Sequence, residues 1–237
     1  MDDKLLDPRL DELDPRLMAV LESAARLQEL VPDAVLVGGT AAALYARHRL
    51  SDDHDHVLAD LSERFDLVLE SIEREPDWVT NRVTPGKIVL GRIGDIETGV
   101  RQLIRKTPLE TQKLELPSGR ALMVPTPEET LRIKAFLLVR RNQVRDYLDV
   151  AALSDRYGVP LAALTLADID RFYADETSDG VPVSSQLVRQ LGDPRPADSA
   201  TLKNLDAYKG LDHRWQRWAN VQDVCRAVAA AMTDPGR

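Results

Sequence analysis

Ala34-Val35-Leu36-Val37-Gly38-Gly39-Thr40-Ala41-Ala42-Ala43-Leu44-Tyr45-Ala46 is the stretch from which the rest of the chain is read. A short apolar run ends at a glycine pair, and strong helix formers follow at once. The pattern predicts a buried strand, a tight turn and a helix. Without side chains at the turn, backbone N–H groups and a helix N-terminus can approach an anion closely. Gly38 and Gly39 are therefore candidate phosphate-binding residues, and the Thr40 hydroxyl stands next to them.

Downstream lies Ser51-Asp52-Asp53-His54-Asp55-His56, which opens a second expected strand over residues 53–58. Alternate residues of a strand share a face, so Asp53 and Asp55 project together. Two carboxylates that close repel each other unless a cation or a proton intervenes. Hard oxygen donors favour Mg²⁺ or Mn²⁺, and Mg²⁺ characteristically uses one or two protein carboxylates while taking its other oxygens from water and substrate phosphates. A glycine turn for phosphates beside such a carboxylate pair points to a nucleotide site.

Around this centre the pattern is that of an α+β chain. A helix is expected over residues 17–30, after an opening arm carrying Asp7-Pro8 and Asp14-Pro15, and an amphipathic helix over residues 61–73. Residues 87–93 and 96–104 read as strands meeting at Gly94-Asp95, and residues 114–116 and 121–124 flank Pro117-Ser118-Gly119 as a hairpin. From Thr126-Pro127-Glu128-Glu129, a helix-start signature, the reading turns helical. Further helices are expected over residues 143–157, 166–174, 184–191 and 213–232. The last carries Trp215, Trp218, Val221, Val224 or Cys225, and Val228 as a core stripe. The expected organisation is a mixed-sheet α/β domain over residues 1–124 and a helical domain over residues 125–237.

No apolar run approaches the roughly 20 residues of a membrane helix, and the opening Met1-Asp2-Asp3-Lys4-Leu5 lacks the pattern of a secretory signal. Cys225 is the only cysteine, which excludes an internal disulfide or a cysteine zinc cluster and fits a reducing cytoplasm. The net charge of −8 argues against nucleic-acid binding by the whole surface. Basic residues nevertheless gather between Arg101 and Arg145: Arg105, Lys106, Lys113, Arg120, Arg132, Lys134, Arg140 and Arg141 lie between them. They are read either as a basic groove or as ordinary solvated faces.

The order strand, Gly-Gly, helix, Asp-x-Asp strand resembles the polymerase-beta-like nucleotidyltransferase superfamily. Within it the chain resembles the AbiEii/AbiGii toxin nucleotidyltransferases, through Val37 to Leu44, through Arg49-Leu50-Ser51-Asp52-Asp53-His54-Asp55, and through a second block of Pro127-Glu128-Glu129, Lys134, Arg140 or Arg141, and Arg145-Asp146-Tyr147-Leu148-Asp149. The resemblance covers roughly residues 34–157. It implies transfer of a nucleoside monophosphate from an NTP to an acceptor, for several relatives the 3′ end of tRNA, in a toxin restrained by a cognate antitoxin. It also implies Mg²⁺ or Mn²⁺ held by Asp53 and Asp55, with Gly38, Gly39, Thr40, Ser51, Lys134 and Arg140 toward the nucleotide.

Some positions depart from the family pattern. His54 and His56 replace residues that are usually apolar or aromatic, and they read as packed or solvated side chains, with metal ligation as the alternative. The superfamily's third carboxylate lies on a neighbouring strand; Asp95 and Glu97 are the candidates, and Glu97 is preferred because Asp95 reads as a turn residue. Lys134, in an apolar helix, either snorkels outward or reaches a phosphate. Asp146 is a candidate for orienting it, while Arg145 and Asp149 have ordinary i,i+4 ion-pair spacing. The rival readings are a nucleotidyltransferase acting on a small molecule or protein, a catalytically silent nucleotide-binding module of the same fold, and a His-Asp phosphohydrolase built on His54-Asp55.

Overall fold

Asp14 and Pro15 begin the first helix instead of belonging to a loose arm. The Asp14 carboxylate accepts the Arg16 backbone N–H at 2.8 Å, and Pro15, with no N–H to satisfy, takes the first position of α1 (Pro15–Leu30). The structure is a computed structural model that describes residues 8–176, 180–208 and 210–234; the remainder of the expected arm, residues 1–7, lies outside the described residues. The chain forms two compact units, one from Arg9–Leu44 and Leu50–Thr126, the other containing Tyr45–Arg49 and the residues from Pro127 onward.

The first unit is built on a mixed sheet. Its elements after α1 are β1 (Val35–Val37), α2 (Gly38–Ala46), β2 (His54–Leu58), α3 (Phe65–Glu73), β3 (Trp78–Thr84), β4 (Ile88–Ile93), β5 (Ile96–Gln102), β6 (Thr111–Glu115) and β7 (Ala121–Pro125). The last two residues of α2 group with the second unit. The sheet order is β1-β2-β5-β4-β3, with β2 and β5 parallel and the other neighbours antiparallel. Directly paired residues share a face, so the registers sort the side chains. His54, His56, Leu58, Val100, Val89 and Ile93 point one way, and there Leu58, Val100, Val89 and Ile93 meet Leu27 of α1, Val31 just beyond it, and Phe65, Val68 and Ile72 of α3 in a continuous core. Asp55, Gly99, Arg101, Leu90 and Arg92 point the other way.

Two devices complete this unit. β6 and β7 form a separate hairpin, and buried Gln28 on α1 binds the β7 backbone twice, donating to Met123 O at 2.8 Å and accepting from Met123 N–H at 2.7 Å. The amide thereby satisfies backbone groups much as a neighbouring strand would. Gly91 leaves room for the Trp78 indole, which lies 2.4 Å from where a Cβ would stand.

The second unit is helical: α4 (Pro127–Arg141), α5 (Val144–Tyr157), α6 (Val159–Ala167), α7 (Asp170–Tyr173), α8 (Val183–Gly192) and α9 (Trp218–Thr233), with a 3₁₀ stretch over Ser199–Ala207. Leu131, Leu138, Leu148, Leu153, Leu166, Leu187, Val221, Cys225 and Val228 form its buried interior. Phe136 stacks on Tyr173 at 4.1 Å between centroids.

Several expected boundaries move. The helix expected over residues 166–174 instead spans the end of α6 and α7: Gly158, at φ 87°, ends α5, Pro160 lies in the first turn of α6, and a turn separates α6 from α7. The final helix begins at Trp218, not at His213, although Trp215 in the preceding turns is still buried. α3 begins at Phe65 because residues 59–64 turn, with Arg64 bound to Asp60 at 2.9 Å. β3 is an additional strand with no counterpart in the sequence reading. Among the described residues no helix is long and apolar enough to cross a membrane.

Candidate active site

The glycine turn and the aspartates meet on the sheet. Gly38 has φ 78°, a conformation that L side chains rarely adopt, and a Cβ added there would lie 3.5 Å from Asp55 Cβ and 3.6 Å from Asp55 Oδ2. Val37 stands opposite Asp55 in the β1–β2 register, which brings the start of α2 onto the carboxylate. The Thr40 hydroxyl is buried and donates to the Asp53 carbonyl, so it ties the first turn of α2 to the entry of β2. Ser51, also buried, donates from Oγ to Asp53 Oδ1 at 3.1 Å.

Asp55 is half-buried on the β2 face opposite the helix-covered core, and Asp53 is exposed immediately before β2, which begins at His54 and not at Asp53 as the expected strand had it. Thr98 stands opposite His54, so Glu97, one residue earlier, shares the face of Asp55; it is exposed and paired in register with Arg92 of β4. Asp95 lies in the β4–β5 turn outside both strands. A basic group reaches Asp55 directly. Arg101 Nε lies 3.4 Å from Asp55 Oδ1, from a position diagonal to it on the neighbouring strand.

The two histidines face away from this edge. His54 is bonded through Nε2 to Ser23 Oγ at 3.0 Å and through Nδ1 to Thr98 Oγ1 at 2.8 Å, and burial depresses its pKa to about 4. His56 is fully buried, meets His54 edge to face at 5.2 Å, and has no hydrogen-bond partner at either ring nitrogen among the described residues. Burial, with the neighbouring His54 as the smaller cause, holds it well below its usual value. Both are neutral core side chains, and His54 and Asp55 point to opposite faces. A His-Asp hydrolase centre cannot form from them. Among the described residues no group of three or more His, Cys, Asp or Glu side chains is placed to hold a metal ion.

The second block forms a buried polar cluster within the helical unit. Asp149 accepts from His48 Nε2 at 2.7 Å and from Arg49 Nε at 2.8 Å, and lies 2.7 Å from Lys134 Nζ. Burial alone would keep Asp149 protonated, but the Arg49 and Lys134 charges and the His48 bond hold its pKa well below the usual carboxylate range. Burial makes His48 harder to protonate despite the neighbouring carboxylate. Lys134 neither snorkels to solvent nor stands loose: its ammonium is held by Asp149. Arg145 is exposed, so the i,i+4 spacing does not describe what Asp149 does. Asp146 is fully buried with neither carboxylate oxygen bonded among the described residues, and burial raises its pKa against the pull of Lys134. Arg140 is exposed at the end of α4, its guanidinium 5.8 Å from the Phe136 ring centre.

The basic stretch between Arg101 and Arg145 is not one exposed track. Arg105 is buried on the Thr107 and Pro108 carbonyls, at 2.9 and 2.8 Å, and Arg120 pairs with Glu29 at 3.1 Å. Arg132 is buried against Glu129 at 2.9 Å and lies over the Phe172 ring at 4.1 Å. Sequence reasoning also missed Arg101 as a partner of Asp55 and His48-Arg49 as partners of Asp149. Their signal was position: His48-Arg49 immediately precedes the Ser51-Asp53 motif, and Arg101 lies two residues beyond Gly99, which stands opposite Asp55.

Comparison with known proteins bears on the fold and the family. The chain is similar in structure to MenT4, a nucleotidyltransferase toxin from Mycobacterium tuberculosis, at TM-score 0.57 and 19% identity over 92% of this chain and 84% of that one. It is likewise similar to JHP933 from Helicobacter pylori, at TM-score 0.51 and 16% identity over 94% of each chain. Among curated sequences it is 32% identical over 237 residues to the heme uptake protein MmpL11 of Mycobacterium tuberculosis, a match covering 92% of this chain and only 23% of that protein. The chain thus spans about a quarter of the length of the curated relative. The description "Nucleotidyl transferase AbiEii toxin, Type IV TA system" matches residues 19–226, and the chain belongs to that family.

Proposed function

We propose that the chain transfers a nucleoside monophosphate from an NTP to an acceptor hydroxyl, releasing pyrophosphate, and that the acceptor is the 3′ end of tRNA. As a toxin it would block translation until a cognate antitoxin restrains it. The observation that carries the reading is the meeting of Gly38 with Asp55 on the open face of the sheet. The donor set suits a magnesium or manganese ion: Asp53 and Asp55 are solvent-accessible carboxylates at the start of β2, and such ions need few protein carboxylates when phosphates supply the remaining oxygens. When bound, the ion would neutralise charge on the phosphates and polarise the attacking oxygen.

The chain's own residues do the rest. Gly38 and Gly39 open the N-terminus of α2 to phosphate oxygens, and Thr40 and Ser51 hold Asp53 in place by its carbonyl and its carboxylate. The acceptor oxygen forms a bond to the α-phosphorus as the bond to the bridging oxygen breaks, and its proton leaves to solvent. Glu97 is the proposed third carboxylate, on the face argument above. Lys134, Asp146 and Arg140 are proposed as further functional residues, to be tested singly.

The family description supports nucleotidyl transfer and a toxin role, and tRNA rests on the family resemblance. The local bonding of Arg105, Arg120 and Arg132 favours a second reading of the acceptor, a small molecule or a protein. Incubation with each α-labelled NTP, Mg²⁺ and total tRNA, alongside Asp55→Ala, tests both. Label on tRNA that is lost in Asp55→Ala supports the first reading, and label only on other acceptors supports the second. No transfer by the wild-type chain to any acceptor sinks the enzyme reading.

A further inference from the structure

We propose that Arg101 is a positioning residue that couples cation binding to nucleotide binding: it holds Asp55 when no substrate is present and passes to a phosphate of the NTP when a divalent cation takes Asp55. The inference rests on reading Asp53 and Asp55 as the cation site. Asp53 is bonded by a neutral hydroxyl, Ser51 Oγ at 3.1 Å, whereas Asp55 is approached by a full positive charge, Arg101 Nε at 3.4 Å. The acidic pair is therefore asymmetric, and its charge is partly neutralised in advance on one side.

The sheet makes this arrangement hard to replace. The residue directly opposite Asp55 is Gly99, where an added Cβ would lie 2.3 Å from Leu90 Cδ2 and 3.0 Å from the Val89 carbonyl oxygen. A side chain there would have to push Leu90 aside and press on the Val89 carbonyl, so glycine leaves the space beside Asp55 to the next β5 position on this face, Arg101. The Arg101 and Asp55 side chains are 42% and 38% exposed, leaving the guanidinium room to swing and solvent access to the carboxylate.

A cation at Asp55 and a guanidinium within hydrogen-bond range of the same oxygen repel each other. A cation arriving alone must displace Arg101, with nothing to receive the guanidinium. A triphosphate supplies a receiver, because arginine binds phosphate oxygens through paired donors. Cation and nucleotide consequently favour each other's binding, and the coupling is reciprocal.

The test measures binding, not turnover. Mn²⁺ affinity of the full chain is determined by electron paramagnetic resonance without nucleotide, and affinity for a non-hydrolysable NTP analogue is determined separately under saturating Mg²⁺, for wild type, Arg101→Gln, Arg101→Lys and Asp55→Asn. Arg101→Gln should bind Mn²⁺ alone about 5-fold or more tightly and the analogue about 5-fold or more weakly, within the usual range of coupling between sites. Arg101→Lys should fall between Arg101→Gln and wild type on both scales. Opposite signs are the signature, since a structural defect would weaken both. If Asp55→Asn abolishes Mn²⁺ binding but Arg101→Gln leaves it unchanged or weaker, the Arg101 role is overturned while the cation site stands. If Mn²⁺ binding by the wild type is indifferent to Asp55→Asn, the cation site and the Arg101 role fall together.

Discussion

Asp149→Ala is expected to be the most damaging single change in the helical unit. The carboxylate is fully buried and accepts from His48 and Arg49 while pairing with Lys134. Its removal leaves the Arg49 and Lys134 charges, 7% and 4% exposed, without their shared counter-charge. Breaking a buried pair from one side costs about 3–5 kcal/mol, because the stranded charge loses its partner without regaining water. With a urea dependence of about 2 kcal/mol/M, the midpoint should fall by about 2 M. The three tryptophans allow the units to be followed separately: Trp215 and Trp218 belong to the helical unit and Trp78 to the sheet unit. In a Trp78→Phe background, fluorescence reports the helical unit alone. Asp149→Asn keeps the shape and one acceptor, and should lose less. A shift in Asp149→Ala below about 0.5 M would show that this ion-pair cluster does not support the fold.

Three further outcomes are expected. Gly38→Ala should cost about 1–2 kcal/mol in urea unfolding, the usual penalty for an L residue in left-handed backbone, since its Cβ meets Asp55 only at van der Waals distance; a loss under about 0.5 kcal/mol would contradict the strained turn. His54 and His56 have folded pKa values below the unfolded value of roughly 6.5, so the unfolded chain binds more protons below that pH. The stability they contribute is full above pH 6.5 and is lost as pH falls toward about 4, and His56→Leu should flatten that part of the sheet unit's pH profile. An unchanged slope in His56→Leu refutes the assignment. Glu97→Gln should lower transfer by about tenfold or more while Asp95→Asn leaves it near wild type; equal effects would remove Glu97 from the site.

The central strand–turn–helix and the strand carrying Asp55 were legible because they rest on local rules, a glycine pair after apolar residues and period-two alternation, although Asp53 falls just before that strand. β3 was not. Val79, Thr80, Asn81 and Arg82 are all exposed in succession, and a register shift between Thr80 and Arg82 breaks the alternation that would have marked a strand. α6 was missed between the helices expected over residues 143–157 and 166–174, because Gly158 and Pro160, two residues that usually interrupt helices, here end one helix and lie in the first turn of the next. The fates of the charged residues were less accessible still. His48 and Arg49 reach Asp149 across about a hundred residues of chain, and Arg105 and Arg132 are buried on partners that charge counting along the sequence cannot reveal. The basic stretch therefore read as a surface feature when much of it is internal bonding.

The most direct measurement is a crystal structure with Mn²⁺ and a non-hydrolysable NTP analogue, with the ion located by its anomalous scattering. The account predicts an ion coordinated by the Asp53 and Asp55 carboxylates at about 2.0–2.2 Å, with analogue phosphates at the Gly38–Gly39 turn. A bound analogue whose phosphates and ion lie away from Asp53, Asp55 and Gly38 would contradict it.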